Sequence, residues 1–249
     1  MPTHPPTAPN RGPPVTWLFW TVKILATTVG ETGADYLATH VGLGAMRTGL
    51  AMVALLAASL SWQLRLRRYA PSVYWLTVVL VSIVGTQIAD ALTDSIGISL
   101  YVSTATFSVA LAALFFVWWR VEHTLSIQTI VNRQRECFYW TAVLLTFALG
   151  TAAGDLATEE LGLGFRFGAV AFLAAIGATA IAWRLGANAV LTFWIAYILT
   201  RPLGASVGDF ISQARAYGSL GGGTVLTSLA FLIVISTLVS FESHQRKAS

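Results

Sequence analysis

The sequence predicts an all-α polytopic membrane protein whose eight transmembrane helices form four parallel helical-hairpin repeats in a pseudo-fourfold bundle. Of the 249 residues, 55% are hydrophobic and only 10% are charged, whereas about 25% are charged in a typical soluble domain. The apolar residues come in runs of about 20, the length of a helix that crosses a bilayer. In addition, one glycine- and aspartate-containing motif recurs four times.

The composition also excludes several classes of protein. A chain with a mean hydropathy of +0.69 is neither disordered, nor a nucleic-acid-binding module, nor an ordinary soluble enzyme. A single cysteine, Cys137, excludes a disulfide framework and a cysteine-based zinc or iron–sulfur site. We attribute the net charge of +4 to loop orientation and not to an anionic partner.

Residues 1–15 are predicted to form a disordered, proline-rich cytoplasmic tail, because six of the eight prolines lie in the first fourteen residues. This stretch lacks the regions of a signal peptide, so the first hydrophobic segment is expected to be retained. Residues 242–249 are the second cytoplasmic tail.

Continuous apolar runs predict eight spanning helices, because they are too long for barrel strands. The predicted spans are about 16–38, 46–65, 73–95, 100–119, 138–160, 165–184, 190–212 and 222–241. Taken in pairs within one transmembrane domain, 16–241, they give repeats at about 16–68, 73–120, 138–185 and 190–241. The one long connection is about 120–137.

The distribution of Lys and Arg predicts that both termini are cytoplasmic. Ten basic residues lie in the tails and in the loops that join even to odd helices, against three in the opposite loops. Those three are Arg47, Arg166 and Arg215. All nine tryptophans fall toward the cytoplasmic ends, where indole rings are enriched at the membrane interface.

The internal repeat sets the register of the odd-numbered helices. Each copy reads Gly-x-x-x-(Ala/Gly)-Asp, with a Trp ten residues before the glycine. The copies begin at Gly30, Gly85, Gly150 and Gly204 and end at Asp35, Asp90, Asp155 and Asp209. Three copies continue to a glycine seven residues after the Asp. Because each unit has two helices, all four units enter the membrane in the same direction.

The chain resembles a bacterial inner-membrane family built from four tandem two-helix repeats of unknown function. The resemblance rests on the four Trp and the four Gly-x-x-x-small-Asp motifs, and it covers about residues 16–241. Members of this family are sometimes labelled membrane-anchored proteins predicted to regulate amylopullulanase. The resemblance implies the repeat fold and a multi-pass location in the bacterial inner membrane.

The small residues of the motif lie four apart, on one helix face. In lipid, such faces let two helix backbones approach closely. We therefore expect Gly30, Gly85, Gly150 and Gly204 to pack the odd helices into a central bundle.

Seven carboxylates within or at the ends of odd helices form the candidate site. They are Glu31, Asp35, Asp90, Asp94, Asp155, Glu159 and Asp209. An ionised side chain at membrane depth costs roughly 2.5–3.5 kcal/mol, so seven of them need compensating partners. Three pairs are spaced i,i+4 and are expected to share a helix face, and the four motif aspartates are expected to form a ring in the outer half of the membrane.

Two functions remain open for these acids. In the first, the chain is a cation exporter or a proton-coupled carrier, and the four motif aspartates bind protons or a hard divalent cation such as Mn²⁺, Mg²⁺ or Ca²⁺. In the second, the chain is a membrane scaffold or sensor in which the acids form ion pairs. The candidate bases for those pairs are Lys23, Arg47, Arg166, Arg201 and Arg215.

Four bases are expected to modulate the site, namely Lys23 and Arg201 inside odd helices and Arg47 and Arg166 at the start of even helices. Lys23 lies two turns before Glu31 and either snorkels toward the cytoplasm or gates the pathway. Arg201 precedes Pro202, which removes a backbone hydrogen bond and either only kinks the helix or creates a discontinuous binding helix.

No motif of a known enzyme class is present, and we expect no enzyme and no resident cofactor. An intramembrane hydrolase with paired aspartates remains the alternative. His40, five residues after Asp35, is either a loop histidine or a ligand. The expected partners are the lipid bilayer and a small cation or protons, and a homo-oligomer remains open.

Overall fold

The computed structural model of the chain describes residues 10–39, 45–66, 68–215 and 219–248, and over these residues the protein is all-α. The eight long helices are α1 Trp17–Thr39, α2 Ala45–Arg65, α3 Pro71–Asp90, α4 Leu100–Glu122, α5 Arg133–Asp155, α6 Gly164–Arg184, α7 Ala189–Ser212 and α8 Thr224–Ala248. The coarser part of the predicted fold class, an all-α chain whose eight helices fall into four repeats, is confirmed.

Six of these helices, α3 to α8, are long and apolar enough to cross a membrane, so the chain is a multi-pass membrane protein. The helices α1 and α2 are of similar length, with 23 and 21 residues, but they are less apolar. The reason in α1 is its charge, since it carries Lys23, Glu31 and Asp35. Length and composition thus support six of the eight predicted spans.

The four odd-numbered helices form a closed ring. α1 packs against α3 and α7, and α5 packs against the same two helices from the opposite corner. The most apolar stretches of α3, α5 and α7 are more than half buried, whereas those of α4, α6 and α8 are mostly exposed. The odd helices therefore form the interior, and the even helices present large apolar side chains such as Val109, Phe167 and Ile233 on the outside.

Each even helix packs mainly against the odd helix of the following repeat. α2 lies on α3, α4 on α5 and α6 on α7, and α8 closes the circle by packing on α1. The two helices of one repeat make few contacts with each other, which differs from the compact hairpins that the pattern predicts. Because every repeat relies on the next one to bury its surface, the four repeats form one cooperative unit.

Two odd helices end in a π-helical turn. Ala91–Ser95 follows α3 directly, and Leu156–Glu160 follows α5. After each turn comes a glycine in the left-handed conformation, Gly97 with φ +78° and Gly162 with φ +70°. Residues with a Cβ adopt this conformation at a cost, which explains the glycine seven residues after the Asp in these two repeats.

Residues 10–16, which the sequence assigns largely to a disordered tail, pack against the connection between α4 and α5. The backbone N–H of Arg11 donates to the carbonyl of Ile130 at 2.9 Å, and its guanidinium pairs with Glu136 at 2.9 Å. Gln63 of α2 also donates to Glu136, at 3.2 Å. Since α1 and α5 occupy opposite corners of the ring, this segment crosses the end at which the odd helices begin.

Candidate functional site

Each motif glycine packs against the next repeat at one fixed position, three residues before that repeat's own glycine. A Cβ on Gly85 would lie 2.6 Å from the Cβ of Phe147, and a Cβ on Gly150 would lie 2.5 Å from the Cβ of Arg201. The other two contacts of this kind are Gly30 with Ser82 and Gly204 with Thr27. The contacts run once around the ring and close, so the odd helices are parallel and in the same register.

The odd helices begin in a closed layer of eight aromatic side chains, which we call the aromatic layer. It consists of Phe19, Trp20, Tyr74, Trp75, Tyr139, Trp140, Phe193 and Trp194. In each repeat the first aromatic ring contacts the Trp of the next repeat. The centroid distances are 5.6 Å for Phe19–Trp75, 5.4 Å for Tyr74–Trp140, 6.3 Å for Tyr139–Trp194 and 5.6 Å for Phe193–Trp20.

The aromatic layer corrects the interpretation of the tryptophans as a lipid-interface belt. Trp75, Trp140 and Trp194 are only 2%, 4% and 3% exposed, because they pack between odd helices. The analysis of the sequence also missed the aromatic residue that precedes each Trp. Its signal was available, since an aromatic-Trp dipeptide occurs eleven and ten residues before the glycine in all four repeats.

Arg201 is fully buried inside the ring. Its guanidinium pairs with Oε2 of Glu31 at 2.5 Å, donates to the backbone carbonyl of Thr27 at 3.2 Å and donates to the hydroxyl of Thr86. A side chain of α7 thereby joins α1, its neighbour, to α3 at the opposite corner. Its Nε has no hydrogen-bond partner among the described residues.

Lys23 lies inside the same ring and is 1% exposed. It lies two helical turns from Glu31, on the side of the aromatic layer. Its Nζ lies 3.9 Å from the centroid of the Phe147 ring and 4.2 Å from that of Tyr197. No carboxylate of the described residues pairs with it. The side-chain nitrogen is therefore held between two aromatic faces inside the ring and does not snorkel to the membrane surface.

The four motif aspartates lie near the far ends of the odd helices. Asp90 and Asp155 are the last residues of α3 and α5, and Asp209 is 7% exposed. Because the odd helices share one register and close into a ring, the four aspartates lie at equivalent positions around it, in electrostatic range of Glu31 and Arg201. Gln213 donates to Asp35 at 3.5 Å.

The two members of each predicted i,i+4 acid pair in repeats two and three differ in exposure. Asp90 and Asp155 are half-buried, whereas Asp94 and Glu159 are exposed. Each motif aspartate is the last residue of its α-helix, and its partner lies in the π-helical turn that follows. Asp94 and Glu159 therefore lie at the rim of the acidic cluster.

Two of the bases at this end form no ion pair with Asp90, Asp155 or Asp209. Arg47 and Arg166 are exposed, and neither forms an ion pair with an acid in the described part of the chain. Among the described residues, no group of three or more His, Cys, Asp or Glu could hold a metal ion. His40 lies outside those residues.

Outside the ring, Glu242 links α8 to the start of α3. It accepts hydrogen bonds from Tyr69 at 3.3 Å and from the indole of Trp75 at 3.4 Å, and it pairs with Arg246 at 3.4 Å. Burial and then the neighbouring Glu242 carboxylate raise the pKa of Tyr69 above its usual range, so its phenol remains the donor in this contact.

Comparison with known proteins agrees with this fourfold geometry. The family model described as Repeat of Unknown Function (DUF347) matches residues 18–69, 73–124, 138–186 and 192–248, and each match covers one odd helix and the even helix after it. No curated protein and no solved structure matches the chain. By its four tandem repeats, which cover most of its length, the chain belongs to the family of the Repeat of Unknown Function (DUF347).

Proposed function

We propose that the chain is a membrane transporter for a small cation, and that the ring of odd helices encloses its pathway. The observation that carries this proposal is the state of Asp90, Asp155 and Asp209, whose carboxylates form no ion pair and accept no hydrogen bond from a described residue. Carboxylates within a membrane are costly unless they are compensated. A passing cation or protons would supply that compensation.

The order of charged and aromatic layers along the ring supports a pathway that is closed at one end. The distances along α1 from Asp35 toward the aromatic layer follow from a rise of 1.5 Å per residue. Glu31 lies about 6 Å from Asp35, Lys23 lies about 12 Å beyond Glu31, and the aromatic layer lies about 6 Å beyond Lys23. We therefore interpret the acids as a vestibule, the Arg201–Glu31 pair as a constriction, and the aromatic layer as the barrier.

The polar lining of the ring favours a pathway over a dry scaffold. Buried hydroxyl groups occur on several odd helices, including those of Thr27, Thr86 and Thr151. The hydroxyl of Thr86 lies inside the ring, where it contacts the guanidinium of Arg201. A hydroxyl in this position is suited to contact a polar solute.

For the membrane topology, we propose that all eight helices span the bacterial inner membrane with both termini in the cytoplasm. The charges of α1 do not oppose this, because Lys23 and Glu31 are buried inside the ring and do not face lipid. With this orientation the aromatic layer is cytoplasmic and the acidic vestibule faces outward. Export, with or without proton coupling, is the direction that we propose.

The test is cation flux in proteoliposomes, measured in both directions for the wild type and for Asp90→Asn. The matched control is Asp94→Asn, which removes the same charge from the exposed rim next to Asp90. We expect Asp90→Asn to abolish flux while its melting temperature stays close to that of the wild type. A strong loss of stability, with unchanged flux per folded molecule, would favour the scaffold instead.

A further inference from the structure

We propose that the interior of the ring is a binding site for an organic nitrogen cation, an ammonium or guanidinium compound, and that Arg201 and Lys23 occupy its two subsites in the closed state. This inference rests on the proposed transport function, because it assigns a class of cargo to the same ring. It replaces the divalent metal ion that the carboxylates alone suggest.

The first subsite is the set of acceptors around the guanidinium of Arg201. The carboxylate of Glu31, the carbonyl of Thr27 and the hydroxyl of Thr86 all accept from its two terminal nitrogens. These groups belong to α1 and α3, whereas the arginine comes from α7. The acceptors are therefore a pocket built by other helices, and a carboxylate combined with neutral acceptors is suited to a planar guanidinium.

The second subsite is the pair of aromatic rings around the side-chain nitrogen of Lys23. Phe147 of α5 and Tyr197 of α7 hold it at 3.9 Å and 4.2 Å from their centroids, and Lys23 itself comes from α1. Aromatic faces without a carboxylate bind alkylammonium ions through cation–π attraction. They are unsuited to Mg²⁺ or Ca²⁺, which require several oxygen ligands in their first shell.

The position of Arg201 allows a cargo cation to replace it. Pro202 has no backbone N–H, so α7 lacks one of its helical hydrogen bonds just at this point. A cation that enters through the acidic vestibule meets Glu31 first and can take over the contact that Arg201 makes with this carboxylate. The charge of Glu31 remains neutralised throughout the exchange, and the displaced guanidinium is in electrostatic range of the carboxylates of Asp90, Asp155 and Asp209.

The first experiment uses Arg201→Ala, which empties the pocket but keeps its acceptors. The melting temperature of the purified variant is measured with methylguanidinium chloride, and at equal ionic strength with NaCl or MnCl₂. We expect methylguanidinium to raise the melting temperature of Arg201→Ala by several degrees, more than that of the wild type, and the two inorganic salts to have little effect. Equal effects of all three salts would overturn the proposal.

A second measurement keeps the proposal falsifiable if Arg201→Ala does not fold. Wild-type proteoliposomes are assayed for uptake and release of radiolabelled methylguanidinium and methylammonium, and in parallel of Mn²⁺. Flux of either organic cation that unlabelled methylguanidinium inhibits supports the proposal. Flux of Mn²⁺ alone would overturn this class of cargo and leave the transport function standing. No flux of any cation would instead count against the transport function, and together with no stabilisation by methylguanidinium it would overturn both.

Discussion

Gly150 of α5 lies directly against Arg201 of α7, so close that a Cβ on the glycine would lie 2.5 Å from the Cβ of the arginine. The same relationship recurs at the other three corners of the ring. The residues at the position of Arg201 in the other repeats are Thr27, Ser82 and Phe147. One fourfold position thus carries four different side chains, and the long basic one reaches Glu31 of the neighbouring α1 and, across the axis, Thr86 of α3. We infer that the repeats build the symmetric ring and that this position makes its interior asymmetric.

We predict that Gly150→Ala destabilises the protein. The added methyl group would overlap the side chain of Arg201, and overpacking of this kind costs about 1–3 kcal/mol. The matched control is Gly177→Ala, because nothing lies within 4 Å of a Cβ on Gly177 of α6. We expect a lower melting temperature for Gly150→Ala and an equal or higher one for Gly177→Ala. Equal stability of both variants would show that the odd helices do not pack through this glycine.

We predict that Glu31→Gln lowers stability strongly, because it leaves the guanidinium of Arg201 without a counter-ion. Removing one partner of a buried ion pair costs about 3–5 kcal/mol. Glu159→Gln is the control, since Glu159 is exposed. The double variant Glu31→Gln, Arg201→Gln should be less destabilised than the sum of the single variants. Strict additivity in chemical or thermal unfolding would argue against a direct Arg201–Glu31 interaction.

We predict that Trp140→Ala is far more destabilising than Trp17→Ala. Trp140 is 4% exposed within the aromatic layer, whereas Trp17 is 71% exposed. Truncating a buried Trp to Ala costs about 3–5 kcal/mol, and a surface ring costs much less. Melting temperatures in one detergent measure the difference. Similar losses for both variants would mean that the tryptophans act mainly at the lipid interface.

We predict that the segment before α1 stabilises the end of the ring at which the odd helices begin. Glu136 is 1% exposed and relies on Arg11 and Gln63, so Arg11→Ala should lower the melting temperature by burying a carboxylate without its cation. Adding Glu136→Gln should restore part of the loss, because the neutral amide needs no counter-ion. A double variant that is less stable than Arg11→Ala alone would contradict this pairing.

The sequence by itself determined the helices, their grouping into four repeats and the register of the odd helices. Apolar length and the spacing of Trp, Gly and Asp are local properties of the chain, and each repeat carries its own copy of them. For the same reason the sequence could locate the motif aspartates on equivalent turns of four helices. It also placed Arg201 at the position of Thr27, Ser82 and Phe147, although it could not show what the arginine contacts.

Only the tertiary structure decided which side chains meet inside the ring. Arg201 and Glu31 are 170 residues apart, and their contact exists because α7 closes the ring against α1. Ring closure likewise places the side-chain nitrogen of Lys23 on Phe147 and Tyr197, while Asp94 and Glu159 lie in the exposed turns that follow α3 and α5. A repeat specifies each helix and its packing face, but partners across an axis follow from how the four faces close on one another.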